Sequence, residues 1–288
     1  MLTMNRLILS FAVLAASAMG LTGCSTPPHS NSAAPAVRQT VVPFTGLVNP
    51  QSVAVDNAGD VYVVDYDGGS HLAGSRLVKF AGGSTTVVPL NGLDRPGRIA
   101  VDNAGSLYAV DNPNRRVLKL AAGSAAPTVL PFTDLNDPGG IAVDGARNVY
   151  VVDGDTVVKL AAGSNVQTTL PLTGLKDIWA IAVDSAGNVY ANDHGAKVVK
   201  LAAGSNAPTT LPFTGLDTPT GLAADTAGSV YVVDRNHDRV VELSSGSNTQ
   251  TVLPITGLRT PADIAVDAAG NVYVSDQEQQ RVVKLAAG

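Results

Sequence analysis

Trp179 is the single tryptophan of the 288-residue chain. It stands in one of six related segments, where its counterparts are Gln51, Gly97, Gly139, Thr220 and Ala262. A lone indole among small and polar counterparts offers a flat apolar face for stacking on a sugar or anchoring a peptide; the same ring is also suited to plugging a channel. Arg98 and Asp263 lie one residue further along in their own segments. They are placed either to orient a polar ligand or to stand as solvated surface charges. With Gln51 and Thr220 they complete a candidate binding set. His194 and His237 raise metal chemistry, with Asp193, Asn236 and Asp238 close by in sequence. A hydrolytic metal centre needs about three convergent ligands and a general base. The variable positions supply Asp263 as their one carboxylate and no glutamate, so the expectation is loop histidines and no metal site. No serine elbow and no phosphate-binding glycine loop is found. No catalytic residue and no cofactor is therefore assigned.

Two regular series of aspartates invite a carboxylate-ring reading, and their regularity argues for structure instead. Asp65, Asp111, Asp153, Asp193, Asp234 and Asp276 each close a VYVVD-like run. Five of the six following strands open with a base, at Arg76, Arg116, Lys197, Arg239 and Arg281, whereas Thr156 stands in the remaining one. Cross-strand ion pairs are the expected use. Asp56, Asp102, Asp144, Asp184, Asp225 and Asp267 each precede a turn of the NAGD or SAGN type, where Asp and Gly shape the backbone.

These residues need a frame, and the second series measures it, recurring every 40 to 46 residues. Each unit reads as four strand segments, for example IAVD, VYVVD, VVKL and TTLPL in the unit from Ala142. Repeats of this length with four strands each make propeller blades, whereas solenoid repeats of similar length are helical. Alanine holds the middle of every first segment (Ala54, Ala100, Ala142, Ala182, Ala223, Ala265), as an innermost strand crowded around an axis requires. Proline recurs in every fourth segment (Pro43, Pro89, Pro131, Pro171, Pro212, Pro254), which points to an edge strand, because proline cannot donate to a ladder. The array opens on a fourth segment, Val41 to Phe44, and closes on a third, Arg281 to Leu285. The predicted fold is all-β: a six-bladed propeller over residues 41–288, its last blade completed by the N-terminal strand. The pairs just before each first strand, and the loops between second and third strands, should then surround one mouth of the channel. In the first unit that loop is long, Tyr66 to Ser75.

Residues 1–23 read as a lipoprotein signal peptide, with a basic start and an apolar run too short to span a bilayer. The sequence LTGC places Cys24, the only cysteine, for lipidation. Residues 24–40, rich in Ser, Pro and Ala, read as a tether. The expected location is the extracytoplasmic face of the cell membrane. The balance of 19 basic against 24 acidic residues, a net charge of −5, argues against nucleic acid as a partner.

The motifs VLPFTGL, GIAVDxAGNVYV and RVVKLAAGS, spread over residues 41–288, resemble NHL-repeat β-propellers. The resemblance is greatest to the extracytoplasmic sensor domains of mycobacterial transmembrane serine/threonine kinases of the D type. It implies a rigid propeller used for sensing or adhesion outside the cell. It does not extend to kinase activity, since no nucleotide-binding lysine strand, HRD loop or DFG motif occurs. The function expected is non-catalytic binding of an envelope glycan, peptide or protein at the channel mouth by a sensor, adaptor or adhesin. The alternative is a metal-dependent lactonase or lyase of propeller type using His194, His237 and Asp263.

Overall fold

The computed structural model describes residues 39–66, 74–89, 93 and 96–288. The signal peptide, Cys24, most of the tether and the greater part of the long loop of the first blade lie outside these residues. The described chain forms six four-stranded antiparallel sheets, each following sequence order from its inner to its outer strand except the last. The inner strands are Pro50–Val55, Ile99–Val101, Pro138–Val143, Ile178–Val183, Pro219–Ala224 and Pro261–Val266. Numbered in that order, these define blades one to six of a β-propeller.

Each second strand is buried on both faces, as in Leu107–Asp111 and Val230–Asp234, because a blade is covered by a neighbour on either side. The hydrophobic core is accordingly divided among the blade interfaces. One cluster joins Ala142, Tyr150 and Val152 of blade three to Ile178, Ile181 and Val189 of blade four. The recurrent alanines have a specific partner. In every blade the inner-strand alanine pairs with a second-strand tyrosine: Ala54 with Tyr62, Ala100 with Tyr108, Ala142 with Tyr150, Ala182 with Tyr190, Ala223 with Tyr231 and Ala265 with Tyr273. Small thus opposes large at the same radius all around the ring.

The sixth sheet closes as expected. Its outer strand is Gln39–Val42, which pairs with Arg281–Leu285 through Val41 opposite Val283. The strand begins two residues before the expected Val41 and stops short of Pro43. The prolines therefore follow the outer strands rather than sitting inside them. In blade two the ladder ends with the Leu130 N–H donating to the Val117 carbonyl, and the chain then turns tightly at Pro131 through Phe132 N–H to the Leu130 carbonyl. Proline lacks a ladder donor, so it marks where pairing ceases.

Candidate functional site at the channel mouth

In five of the six blades the residues expected just before the inner strand belong to that strand, at a bulge; in blade two Gly97 and Arg98 precede the strand Ile99–Val101, as expected. The inner-to-second-strand register slips between Pro50 and Ser52, Ile178 and Ala180, Pro219 and Gly221, and Pro261 and Asp263. Gln51, Trp179, Thr220 and Ala262 are consequently the extra residues. A bulge re-aims side chains out of the strand's alternation, and here it turns them toward the axis.

A cavity of about 880 Å³ opens there, lined among others by Gln51, Arg98, Trp179, His194 and Thr220. Five of the seven candidate binding residues thus share one space. Asp263 lies beneath it, buried, and His237 is not among the lining residues. Instead the His237 Nδ1 lies 2.9 Å from Asp234 Oδ2. Among the described residues no group of three or more His, Cys, Asp or Glu is arranged to hold a metal.

Arg98 and Asp263 are not independent surface charges, for each satisfies the other. Arg98 Nη1 stands 2.6 Å from Asp263 Oδ1, with their side chains only 18% and 9% exposed. Arg98 Nη2 also donates to the Thr220 carbonyl at 2.6 Å. Arg98 thereby connects blade two to blades five and six through the channel. The other oxygen of Asp263 accepts from Ser52 Oγ at 2.8 Å and from the Val53 N–H at 3.2 Å, both on blade one. Thr220 is itself buried, its Oγ1 directed to the Pro261 carbonyl at 3.4 Å. Gln51 donates to Asn49 Oδ1 at 2.9 Å.

Above this pin lies the aromatic part of the mouth. Trp179 is 41% exposed. The His194 ring meets it edge-on, centroids 4.6 Å apart, and the Arg98 guanidinium lies 5.9 Å from its centroid. Edge-to-face and cation–π contacts of this kind hold a ring in place while leaving much of it open.

Within the loops between second and third strands, which the sequence placed at the mouth, one variable position per repeat forms a second ring, of which only Tyr66 and His194 had been named. The residue after each second-strand aspartate is Tyr66, Asn112, Gly154, His194, Arg235 or Gln277, and the first five of these line the cavity. The signal was available: the position is different in every repeat, directly after one that never changes. Arg235 is half-buried and donates to Gln277 Oε1. Burial first, and the neighbouring Arg98 second, lower its pKa from the ordinary arginine value, against an opposing pull from Asp238.

Both regular aspartate series serve the scaffold. Asp65, Asp111, Asp234 and Asp276 pair with Arg76, Arg116, Arg239 and Arg281 at 2.7–2.9 Å. Lys197 departs from the pattern: its Nζ donates to the Gly174 carbonyl, and its backbone N–H supplies Asp193 Oδ1. In blade three, without a base, Asp153 Oδ1 accepts the N–H groups of Asn136 and Asp137. In the other series each aspartate caps its turn and accepts a tyrosine hydroxyl, as Asp184 Oδ2 does from Tyr190 at 2.8 Å. Burial pushes the Asp184 pKa up, but donors from Asn188, Tyr190 and Ala186 outweigh it and the net shift is downward. The Tyr190 pKa is raised, first by burial and then by that carboxylate.

No family model matches the chain, and no curated protein does. Solved structures match in fold. A streptogramin B lyase superposes with a TM-score of 0.63 at 13% identity, over 87% of this chain and 98% of that one. A gluconolactonase from Xanthomonas campestris gives 0.69 at 16%, over 87% and 89%. A nidogen/laminin complex gives 0.62 at 17%, over 81% and 83%. At such identities the likeness is one of fold: the chain is a six-bladed β-propeller.

Proposed function

We propose that this chain is an NHL-type propeller, held on the extracytoplasmic face of the cell membrane by lipid on Cys24. In this reading it binds an envelope or extracellular ligand at its channel mouth without transforming it. The observation that carries the reading is the exposure of Trp179 at an open cavity. The other large hydrophobic side chains left exposed among the described residues are all valines. Keeping an indole 41% open forgoes much of the stabilisation its burial would give, and a ligand that covers it recovers that term.

Trp179 is also a built-in reporter, being the only tryptophan. Titration of the purified protein with cell-wall fragments should give a saturable change in its fluorescence. Calorimetry should show binding at least tenfold weaker in Trp179→Ala. Undiminished affinity in that variant would remove the mouth from consideration. The enzymatic alternative draws support from the lyase and the lactonase among the structural neighbours, and it requires about one divalent ion per chain on elemental analysis, together with turnover. The separation of His237 from the cavity and the engagement of Asp263 by Arg98 and Ser52 favour binding. For the anchor, Cys24→Ala should move the protein from the membrane fraction to the soluble fraction and abolish labelling by radioactive palmitate. A membrane-bound variant would refute lipidation at that residue.

A further inference from the structure

The wall of the cavity is chemically polarised. Arg235, on blade five, contributes a guanidinium whose side-chain partner among the described residues is a neutral one, Gln277 Oε1. The adjacent guanidinium of Arg98 is already neutralised by Asp263. Further around the same cavity, carboxylates at Asp137 and Asp177 stand directly before the inner strands of blades three and four. Asp137 Oδ1 accepts from Asn112 Nδ2 at 2.9 Å, and its second oxygen has no hydrogen-bond partner among the described residues. Trp179 and His194 lie on the same mouth.

We infer that the occupant of this mouth is an acidic glycan, with its carboxylate on Arg235, a sugar face on Trp179 and hydroxyls donating to Asp137 and Asp177. The inference deepens the binding reading above and rests on it. Three properties of the site support it. An arginine fork matches a carboxylate in two parallel hydrogen bonds. An exposed indole flanked by planar polar side chains suits the C–H face of a pyranose better than a branched apolar side chain, which needs an enclosed pocket. Carboxylates facing the cavity are acceptors only, the complement of sugar hydroxyls. Burial makes the positive charge of Arg235 costly, so an anion beside it offsets a penalty that a neutral ligand leaves in place.

The experiment uses the full chain and matched probes in calorimetry. One pair is the disaccharide of N-acetylglucosamine and N-acetylmuramic acid against its methyl ester. The other is trigalacturonate against its methyl ester. A zwitterionic dipeptide completes the set. At least one acid should bind, and at least tenfold more tightly than its ester. In Arg235→Gln, with unchanged thermal unfolding, that preference should fall to less than threefold while the ester binds as before. Esters that bind as tightly as acids, or a preference that survives in Arg235→Gln, would overturn the acidic assignment and leave a glycan-binding mouth. Binding of the dipeptide alone would overturn it in favour of a peptide end. Failure of every probe overturns the inference, and titration with unfractionated cell-wall fragments then separates the two levels: a Trp179 fluorescence response there keeps the binding reading, and silence removes both. The acid and ester comparison on the unaltered protein stands even where Arg235→Gln fails to fold.

Discussion

The Asp263 carboxylate receives Arg98 Nη1, Ser52 Oγ and the Val53 N–H, so one side chain holds blades one, two and six together. A mostly buried ion pair adds little stability over an apolar replacement of the whole pair, but removing one partner strands the other's charge. Asp263→Ala should therefore cost about 3 kcal/mol, within the range for a broken buried pair. For a domain of this size that is a loss of roughly 6–12 °C in thermal midpoint. The double variant Arg98→Met/Asp263→Ala should recover more than half of the loss, because no uncompensated guanidinium remains. Equal midpoints for the single and double variants would show that the charge pair is not the source. None of this partnership was legible in the sequence. Arg98 and Asp263 were visible as departures from their repeats, but which departures meet across the axis is set by the closed ring, and no local pattern records it. The opposite holds for Asp65 with Arg76 and its equivalents. Those pairs sit across one hairpin, and four of the five expected from the spacing form.

At the level of the element, the inner strands do two jobs that conflict. They must pack closely on each other around the axis, and they must carry the bulge that presents Trp179. Closeness is most severe at Gly221, where an added Cβ would stand 2.8 Å from the Asp263 Cα and 2.9 Å from Val233 Cγ2. Backbone lies on one side and a buried valine on the other, so neither neighbour yields readily. Gly221→Ala should destabilise by about 1–3 kcal/mol, the usual penalty for overpacking. Gly139 occupies the bulge of blade three with nothing within 4 Å of an added Cβ, and Gly139→Ala should change stability by less than about 0.5 kcal/mol. Denaturant unfolding of the two variants checks the contrast, and similar losses at both sites would contradict it. The order and number of strands were legible because alanine, tyrosine and aspartate recur at fixed offsets. The bulge was not, since it adds one residue without changing the type of its neighbours, and the variable pair therefore read as lying before the strand.

For the whole molecule the decisive contact is the seam where the ring closes. Val42 packs with Leu47, Val53 and Val63 of blade one and with Tyr273 and Val282 of blade six, so one strand seals both the last sheet and the interface beside it. Gln39 shows that the strand truly belongs to blade six. Its side chain clamps Thr256, accepting the backbone N–H at 2.7 Å and donating to the carbonyl at 2.9 Å. Gln167 makes the same two bonds to Thr133 in blade three, and Gln250 to Thr214 in blade five. The strand order of a repeat array made this closure predictable, whereas the amide clamp rests on side-chain geometry that spacing alone does not convey. Deleting residues 39–46 removes the buried Val42 side chain, a ladder of four residue pairs and the clamp together. The first of these alone is worth about 1.5–3 kcal/mol, and the whole should exceed about 5 kcal/mol, or roughly 10–20 °C in thermal midpoint. The deletion also leaves Arg281–Leu285 as an unpaired edge, which invites association, so the shortened protein should self-associate in a concentration-dependent way. A synthetic peptide spanning residues 37–47 should restore part of the midpoint and suppress that association, because it offers the missing strand in trans. An unchanged midpoint in the deletion variant would mean that the ring does not depend on its seam, and the closure described for blade six would have to be abandoned.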